Sequence, residues 1–288
     1  MELQKIRFRR VPAPDSPLGI QVGFEDFHRL RMMSHYEYPL HRHDGYEAIV
    51  VEAGTYRCLL NGEDLRIQRG QTLLVKPGDR HQDHLCKGQR HAVLHFRLTN
   101  PQGGPVPALF ASQVSPHHQI SQGPLTGDLK LIDEIQHEST EGRPYGAKVQ
   151  DGLMSALFWR WVRFLPVEAL SPEYRSIPID EARREEITDL FNRHLEQHES
   201  LPALAAELKV SPRQLTNQCR KLFGASPARL LLGMKVSRAV AMLRYQQMRV
   251  SEVSEALGFA NPYHFSRAFR RTLGYPPSDV VYHRNEWE

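Results

Sequence analysis

The last third of the 288-residue chain repeats itself, and this repeat constrains the fold more than any other feature. Residues 204–227 align with 253–277 at an offset of 49, which becomes 50 after a one-residue insertion. In each copy a short apolar stretch precedes a turn, and the next helix starts at Ser211-Pro212 or Asn261-Pro262. Such pairs begin helices because the cap oxygen accepts an unpaired N–H and proline has none. The repeat predicts two helix-turn-helix units, at about 201–222 and 250–272.

The second helix of each unit is predicted to turn a polar and basic face outward. Arginine can pair with guanine edges, asparagine and glutamine with adenine edges, and hydroxyl groups with phosphates. A connecting helix over 227–245, with Lys235 and three arginines on its exposed side, would hold the two faces one DNA turn, roughly 34 Å, apart. The residues expected to contact DNA are Arg213, Gln214, Thr216, Asn217 and Arg220 in the first unit, and Pro262, Tyr263, His264, Ser266, Arg267 and Arg270 in the second.

Charge is divided unevenly along the chain. The 37 Lys and Arg against 33 Asp and Glu give a formal net charge of +4. Residues 201–288 hold 13 basic and 6 acidic side chains, a net charge of +7, so residues 1–200 carry −3. A basic segment with two outward polar helices favours double-stranded DNA as the partner. The alternative is a helical bundle whose basic face is solvated or contacts protein.

The second unit, LGFANPYHFSRAFRRTLGYPPSDV from Leu257 to Val280, strongly resembles the carboxy-terminal signature of the AraC/XylS family of bacterial transcription regulators. The resemblance covers about 201–281 and implies binding to promoter or operator half-sites, with RNA polymerase as a further partner. The first unit departs from the family pattern: Lys209 stands where glycine is common, Asn217 where arginine is common, and Cys219 where phenylalanine is common. We therefore do not expect residue 217 to read guanine.

Residues 20–98 contain many short runs typical of β-strands, such as Tyr46–Glu52, separated by turn signals such as Asn61-Gly62. Strands at spacings of ~8 to 12 residues predict an antiparallel sandwich or barrel. Asparagine and glycine both tolerate the positive φ of a tight hairpin turn, so Asn61-Gly62 is the best hairpin signal among them.

Histidine is concentrated in the same region, because 13 of the 15 histidines precede residue 201 and eight lie between His28 and His95. Residues 41–47, HRHDGYE, fit the pattern HxHxxxE, and a second segment at 70–81 has a glycine turn and a trailing histidine. These segments resemble the two short motifs of cupin barrels, which form the amino-terminal sensor of many AraC-like regulators. The resemblance implies that the matching residues meet inside the barrel: His41, His43, Glu47 and His81.

Three uses of these four residues stay open. Three imidazoles and a carboxylate suit a divalent Fe, Mn, Ni or Zn ion, and no other cofactor is expected. The same groups could bind a small polar effector directly, for which the family resemblance favours a sugar, or they could only brace the barrel. His95 could face the same cavity.

After a Pro- and Gly-rich joint at 100–107 the apolar spacing becomes helical, and two helices are predicted at about 125–135 and 149–162. Phe158, Trp159 and Trp161 make the second helix apolar on nearly every side, so it packs either on the barrel or on another chain. We expect a homodimer formed through this helix.

The predicted fold is an α+β two-domain chain. Residues 1–165 form a cupin-like antiparallel β-barrel with two following helices, for effector binding and dimerisation. Residues 166–180 carry three prolines and are predicted to be a linker. Residues 181–288 form an all-α DNA-binding domain of two helix-turn-helix units joined by a helix.

Cys58, Cys86 and Cys219 form no close pair, which favours a reducing compartment. The amino-terminal MELQKIRFRR is charged and no stretch approaches the ~18 apolar residues of a membrane span, so we expect a cytoplasmic protein without a membrane partner. The leading hypothesis is a transcription regulator without catalytic activity, in which an effector changes the arrangement of the amino-terminal arm, the helices at 125–165 and the linker. The alternative, resting on the four motif residues alone, is a metal-dependent cupin oxygenase or isomerase with an accessory helical domain.

Overall fold

The computed structural model describes residues 17–197 and 199–282, so the amino-terminal arm lies outside the described residues. The chain divides into two compact units with a boundary between Ile177 and Pro178. We call the described parts the amino-terminal domain (17–177) and the carboxy-terminal domain (178–282). Within the described residues no helix combines the length and apolar character that crossing a membrane requires.

The boundary falls inside the predicted linker 166–180, as predicted, but most of this linker is helical. A 3-10 turn at Val167–Ala169 is followed by helix α3, which runs from Pro172 to Arg193 and so crosses the boundary. Proline at the first helical position costs no hydrogen bond, and Tyr174 is buried in the core of the amino-terminal domain. Pro172 therefore marks the helix start, and Pro178 lies inside α3.

The amino-terminal domain contains two antiparallel sheets, as predicted. The strands are β1 (Gln21–Arg31), β2 (Tyr36–His41), β3 (Tyr46–Ala53), β4 (Thr55–Leu60), β5 (Glu63–Gln68), β6 (Thr72–Val75), β7 (His81–Leu85), β8 (Arg90–Thr99) and β9 (Ile120–Ser121). One sheet has the order β1-β8-β3-β6-β9 and the other the order β2-β7-β4-β5. The hairpin between β4 and β5 turns at Asn61 and Gly62, whose φ angles of 50° and 89° confirm the predicted tight turn.

Strand β3 is buried on both faces, which explains its unbroken apolar run. Ile49 and Val51 join a core between the two sheets, together with Tyr56 and Leu60 of β4. The alternate residues Ala48 and Val50 join a second core on the outer side of the five-stranded sheet.

Two helices cover that outer side, as predicted: α1 (Leu125–Glu141), which ends at Gly142 with a φ of 59°, and α2 (Gly146–Arg163). Phe158 and Trp161 are buried, and their ring centroids lie 5.8 and 6.5 Å from that of Phe96 in β8. The Trp161 indole donates to Asp128 Oδ2 at 2.9 Å. These aromatic side chains thus pack on their own sheet, which leaves only the opposite face of α2 for a partner.

The carboxy-terminal domain is helical and confirms the predicted repeat. After α3 its helices are α4 (Leu201–Glu207), α5 (Pro212–Phe223), α6 (Pro227–Tyr245), α7 (Val250–Ala256), α8 (Pro262–Leu273) and α9 (Pro277–Tyr282). Helices α4–α5 and α7–α8 are the two helix-turn-helix units, offset by 49 residues at their first helix and 50 at their second. The Ser211 hydroxyl accepts from Gln214 N at 3.2 Å and Asn261 Oδ1 accepts from His264 N at 2.8 Å, so both predicted caps are formed.

Each unit packs on the helix that precedes it in the chain. In the first unit Leu215 and Cys219 are buried against Phe191 of α3, and in the second Phe265 and Phe269 are buried against α6. Because both cores are apolar, the polar residues of α5 and α8 remain on the outer side.

Lys235 is the exception, and the prediction that it is exposed is wrong. Only 8% of it is exposed, and Nζ donates to the Leu257 carbonyl oxygen at 2.8 Å. That carbonyl lies at the end of α7, where helical carbonyls lack an intrahelical partner. The Nζ atom also lies 5.7 Å from the centroid of the Phe259 ring, and burial lowers the pKa of Lys235. Lys235 therefore fastens the turn of the second unit to α6.

Candidate functional site

The second helices of the two units, α5 and α8, present matching outer faces. Residues 211–220 and 261–270 follow the same order of exposed, half-buried and buried positions. Residues 50 apart on these helices are therefore structurally equivalent.

All eleven residues predicted to contact DNA lie on these outer faces. Thr216 and Ser266 are half-buried and the other nine are exposed. Two of them have a local role as well: Gln214 Oε1 accepts from Ser211 N at 2.8 Å, and the Thr216 hydroxyl donates to the Pro212 carbonyl at 2.8 Å. Each outer face combines basic side chains with a helix N-terminus. Such a face can bind phosphates and base edges in the major groove.

The four motif residues of the amino-terminal domain also come together, as predicted. His41 ends β2 opposite His81 of β7, His43 lies in the loop that follows β2, and Glu47 is in β3. One nitrogen or oxygen atom from each of these residues lies within 4.8 Å of the others. Glu47 is directly opposite His95 of β8 in the sheet, so His95 joins the cluster, with Nε2 3.6 Å from Glu47 Oε1.

Several polar atoms of this histidine cluster (His41, His43, Glu47, His81 and His95) are buried without a hydrogen-bond partner among the described residues. They are His43 Nε2, Glu47 Oε2, both ring nitrogens of His81, and His95 Nε2. His81 Nε2 lies 2.9 Å from Glu47 Oε2, but the two are not aligned as a hydrogen bond. His41 uses Nδ1 on the Pro39 carbonyl at 2.8 Å, which leaves its Nε2 free. Buried polar atoms that the protein leaves without a partner are typical of ligand or metal sites.

The charges within the cluster are coupled. Burial alone would raise the pKa of Glu47, but the neighbouring imidazoles of His81, His43 and His95 outweigh burial and lower it. Burial opposes protonation of His81, yet contact with Glu47 prevails and its pKa is raised. The pKa of His43 is lowered, chiefly by burial. Glu47 is therefore a carboxylate that a cation or a hydrogen-bond donor can engage.

A cleft of about 480 Å³ opens above the cluster. Of the cluster residues, only His43 and His95 line this cleft, and Tyr46 forms part of its wall. The sequence did not indicate the four charged residues that surround its mouth, Glu25, Arg42, Asp44 and Arg97. Arg97 pairs with Glu25 across β8 and β1, a contact that depends on strand register and not on a motif.

A larger cleft of about 1400 Å³ lies in the carboxy-terminal domain, along α3 and α6. It contains none of the predicted effector residues. Among the residues that the structure describes there, no buried side-chain polar atom lining it lacks a partner. The smaller cleft is therefore the better candidate for a specific polar ligand.

Another buried histidine of the same domain lies outside the cluster. His91 of β8 is 1% exposed, its ring lies 5.0 Å from that of Tyr56, and Nδ1 is 3.3 Å from Gln89 Nε2. Burial lowers the pKa of His91 to about 4, although Glu47 opposes this. His91 is thus neutral at physiological pH and structural.

Comparisons with known proteins match both domains. Residues 28–121 match the family model of the AraC-like ligand binding domain, and residues 204–281 match that of a helix-turn-helix domain. The HTH-type transcriptional activator RhaS of Klebsiella pneumoniae is 24% identical over 252 residues, and that of Escherichia fergusonii is 26% identical over 252 residues. Each alignment covers 84% of this chain and 87% of the relative.

Two solved structures are also similar. ToxT from Vibrio cholerae with a bound unsaturated fatty acid has 14% identity and a TM-score of 0.33, covering 91% of this chain and 95% of that one. A transcriptional regulator from Chromobacterium violaceum with an AraC-type DNA-binding domain has 22% identity and a TM-score of 0.36, covering 38% and 99%. Together the two family models cover more than half of the chain, in the order of the two domains described above. The chain belongs to the AraC family of DNA-binding transcription regulators, with an amino-terminal ligand-binding domain.

Proposed function

We propose that this regulator is controlled by a small polar effector that binds in the cleft above the histidine cluster. The buried nitrogen and oxygen atoms without partners carry this proposal, because each such atom costs about 1 to 3 kcal/mol unless something pairs with it. A cleft of about 480 Å³ is within the usual range for small-molecule sites. Charged groups of both signs at its mouth, Glu25, Arg42, Asp44 and Arg97, suit a ligand with several hydroxyl or carboxylate groups, such as a sugar.

We further propose that the cluster holds a divalent metal ion through His41, His43, Glu47 and His81. The residues fit such an ion, since three imidazoles and a carboxylate are common ligands of Fe, Mn, Ni and Zn and their polar atoms already converge. When bound, the ion would supply positive charge and coordination bonds to oxygen atoms of an effector. The chain's own residues would then orient the effector, with His95 and Arg97 beside it.

Metal analysis of the full-length protein tests this second proposal. We expect about one equivalent of a transition metal, retained after gel filtration and lost in Glu47→Gln. His84→Gln is the matched control, because His84 lies on the same strand as His81 but pairs with Glu37 outside the cluster. Metal bound equally by both variants would contradict the assignment. A thermal-shift screen of sugars and sugar acids, with and without metal, tests the cleft itself.

We propose that the chain does not turn over its effector. The relatives it matches are named as transcriptional activators, which supports regulation and not catalysis. The rival is a metal-dependent oxygenase or isomerase that uses the same cluster. Mass spectrometry of an identified effector, after prolonged incubation with metal-loaded protein in air, should recover it unchanged, and a new product would favour the enzyme.

We propose that the protein acts in the cytoplasm as an activator that works with RNA polymerase. The names of its relatives support activation, and a DNA partner supports a location with the genome. Transcription in vitro from the cognate promoter should increase when the protein and its effector are added to RNA polymerase. Reduced transcription would instead indicate a repressor.

We propose that the protein forms a homodimer through the outer face of α2. Val149, Gly152 and Ala156 follow one another at helical spacing on that face and are exposed. Small side chains let two helices approach closely, and a Cβ at Gly152 would meet open space. Sedimentation equilibrium at micromolar concentration should show a dimer for the native chain and a monomer for Ala156→Glu; a native monomer would contradict the proposal.

A further inference from the structure

Residues 217 and 267 occupy equivalent places on the two DNA-facing helices. Helices α5 and α8 each have 12 residues, follow a capping side chain and end at a glycine with left-handed φ. Over 211–220 and 261–270 the order of buried and exposed positions is also the same. Yet residue 217 is asparagine and residue 267 is arginine, so the two units carry different functional groups at equivalent positions.

Both residues lie in the middle of an exposed stripe. Positions separated by four and then three residues follow one side of a helix. A recognition helix lies in the major groove with its N-terminal residues against base edges. Residues 217 and 267 are the sixth of the 12 residues of their helices and so lie in that half, whereas Arg220 and Arg270 follow in the second half. The stripes are Arg213, Asn217 and Arg220 on α5, and Tyr263, Arg267 and Arg270 on α8.

Neither central side chain is held by the protein. Among the described residues, the Asn217 amide and the Arg267 guanidinium have no hydrogen bond or ion pair. Their neighbours Gln214 and Thr216, in contrast, bond to the first turn of α5. The chain therefore keeps the two central groups free while it uses adjacent polar groups to stabilise the helix.

We propose that Asn217 and Arg267 set the sequence preferences of the two units, adenine for the first and guanine for the second. A carboxamide offers one donor and one acceptor, which match the N6 donor and N7 acceptor of adenine. A guanidinium offers two donors, which match the O6 and N7 acceptors of guanine. The two half-sites of the operator differ at this base pair, and the chain binds such a site in one orientation only.

Selection from a pool of random double-stranded DNA by the full-length protein tests the proposal. The native chain should enrich two half-sites, one with an A·T pair and the other with a G·C pair at the equivalent position. Asn217→Arg should change the first half-site to guanine, and Arg267→Asn should change the second to adenine. Each change should alter the preference between the two bases by about tenfold or more. The double exchange should reverse the orientation of the enriched site.

Arg271→Asn is the matched control, because it removes the same charge from α8 at an exposed position beside the stripe. It should lower the affinity for all sequences alike and leave the base preference unchanged. Circular dichroism and thermal melting confirm that each exposed variant is folded. If guanine is enriched in both native half-sites, or if both exchanges lower affinity without changing the preferred base, the proposal is overturned. A different result, in which the native chain enriches no sequence at all, would contradict sequence-specific DNA binding itself.

Discussion

The two domains place their ionisable groups in opposite ways. The amino-terminal domain buries them: Glu47, His81, Asp83 and His91 all lie inside it. The carboxy-terminal domain has two apolar cores and carries nearly all of its charges on the surface, with Lys235 as the buried exception. Burial makes the protonation of a group part of the folding free energy, whereas an exposed charge mainly affects binding. We therefore expect protons and ligands to change the stability of the first domain, and packing alone to set that of the second.

The largest effect should come from the apolar core of the second domain. Phe269→Ala should lower the free energy of unfolding of that domain by about 3 to 5 kcal/mol, because it removes a fully buried ring. The equivalent change in the first unit, Cys219→Ala, removes a single sulfur atom and should cost about 1 kcal/mol. Urea denaturation followed by circular dichroism measures both. Equal losses of unfolding free energy in the two variants would contradict the equivalence of positions 219 and 269 in the two cores.

Acid should destabilise the amino-terminal domain selectively. His91 is neutral when folded, with a pKa of about 4, and has an ordinary pKa near 6.5 when unfolded, so the unfolded chain binds the extra proton. Its contribution is fully present above pH 6.5 and decreases by about 3 kcal/mol as the pH falls to 4.

Calorimetry of the native chain and His91→Gln between pH 7 and 4 isolates this contribution. The variant should lose less stability on acidification in the transition of the amino-terminal domain, while the transition of the carboxy-terminal domain is the same in both proteins. An equal loss in both proteins would mean that other groups cause the acid sensitivity.

Removing exposed charge should affect binding and not stability. The double variant Arg267→Ala, Arg270→Ala should weaken binding to promoter DNA by about tenfold or more. It should reduce the salt dependence of the binding constant by about 1 in log–log slope, because Arg270 is expected at a phosphate and Arg267 at a base edge. Its melting temperature should be unchanged, because neither guanidinium is bonded to the protein in the described residues. Unchanged affinity and slope would remove α8 from the DNA interface.

The smallest effect concerns the turn of the first unit. Lys209 has a φ of 56°, in the left-handed region where the second unit has Gly258 at 66°. Lys209→Gly should relieve this backbone strain and stabilise the carboxy-terminal domain by about 0.5 to 1 kcal/mol. A chemical denaturation midpoint measures the change, and a lower midpoint would show that the lost side-chain and chain-entropy contributions outweigh the strain.

Local chemistry predicted most of the carboxy-terminal domain from its sequence. Caps such as Ser211 and Asn261 and apolar spacing along each helix act within a few residues, so the boundaries of α5, α6 and α8 could be read directly. The sequence did not predict the burial of Lys235, because its partner is a backbone carbonyl 22 residues away. The helix through 172–180 was missed for a similar reason, since Tyr174 belongs to a core formed by distant residues.

The histidine cluster was predicted only in part. His41, His43, Glu47 and His81 stand in two short motifs, and the structure brings them together. The contribution of Arg97 and Glu25 to the cleft depends on how β1 and β8 align, which no local pattern determines. Residues that meet through strand register therefore remained outside the sequence-based site.

The burial of Lys235 also gives the second helix-turn-helix unit a chemical reporter. Acylating reagents attack unprotonated, accessible amines, and the region 201–288 has two other lysines, Lys209 and Lys221, which are both exposed. Lys235 can react only when the turn after α7 detaches from α6. Its labelling rate, measured against those two lysines by mass spectrometry, therefore reports how often the turn after α7 separates from α6 within the intact protein.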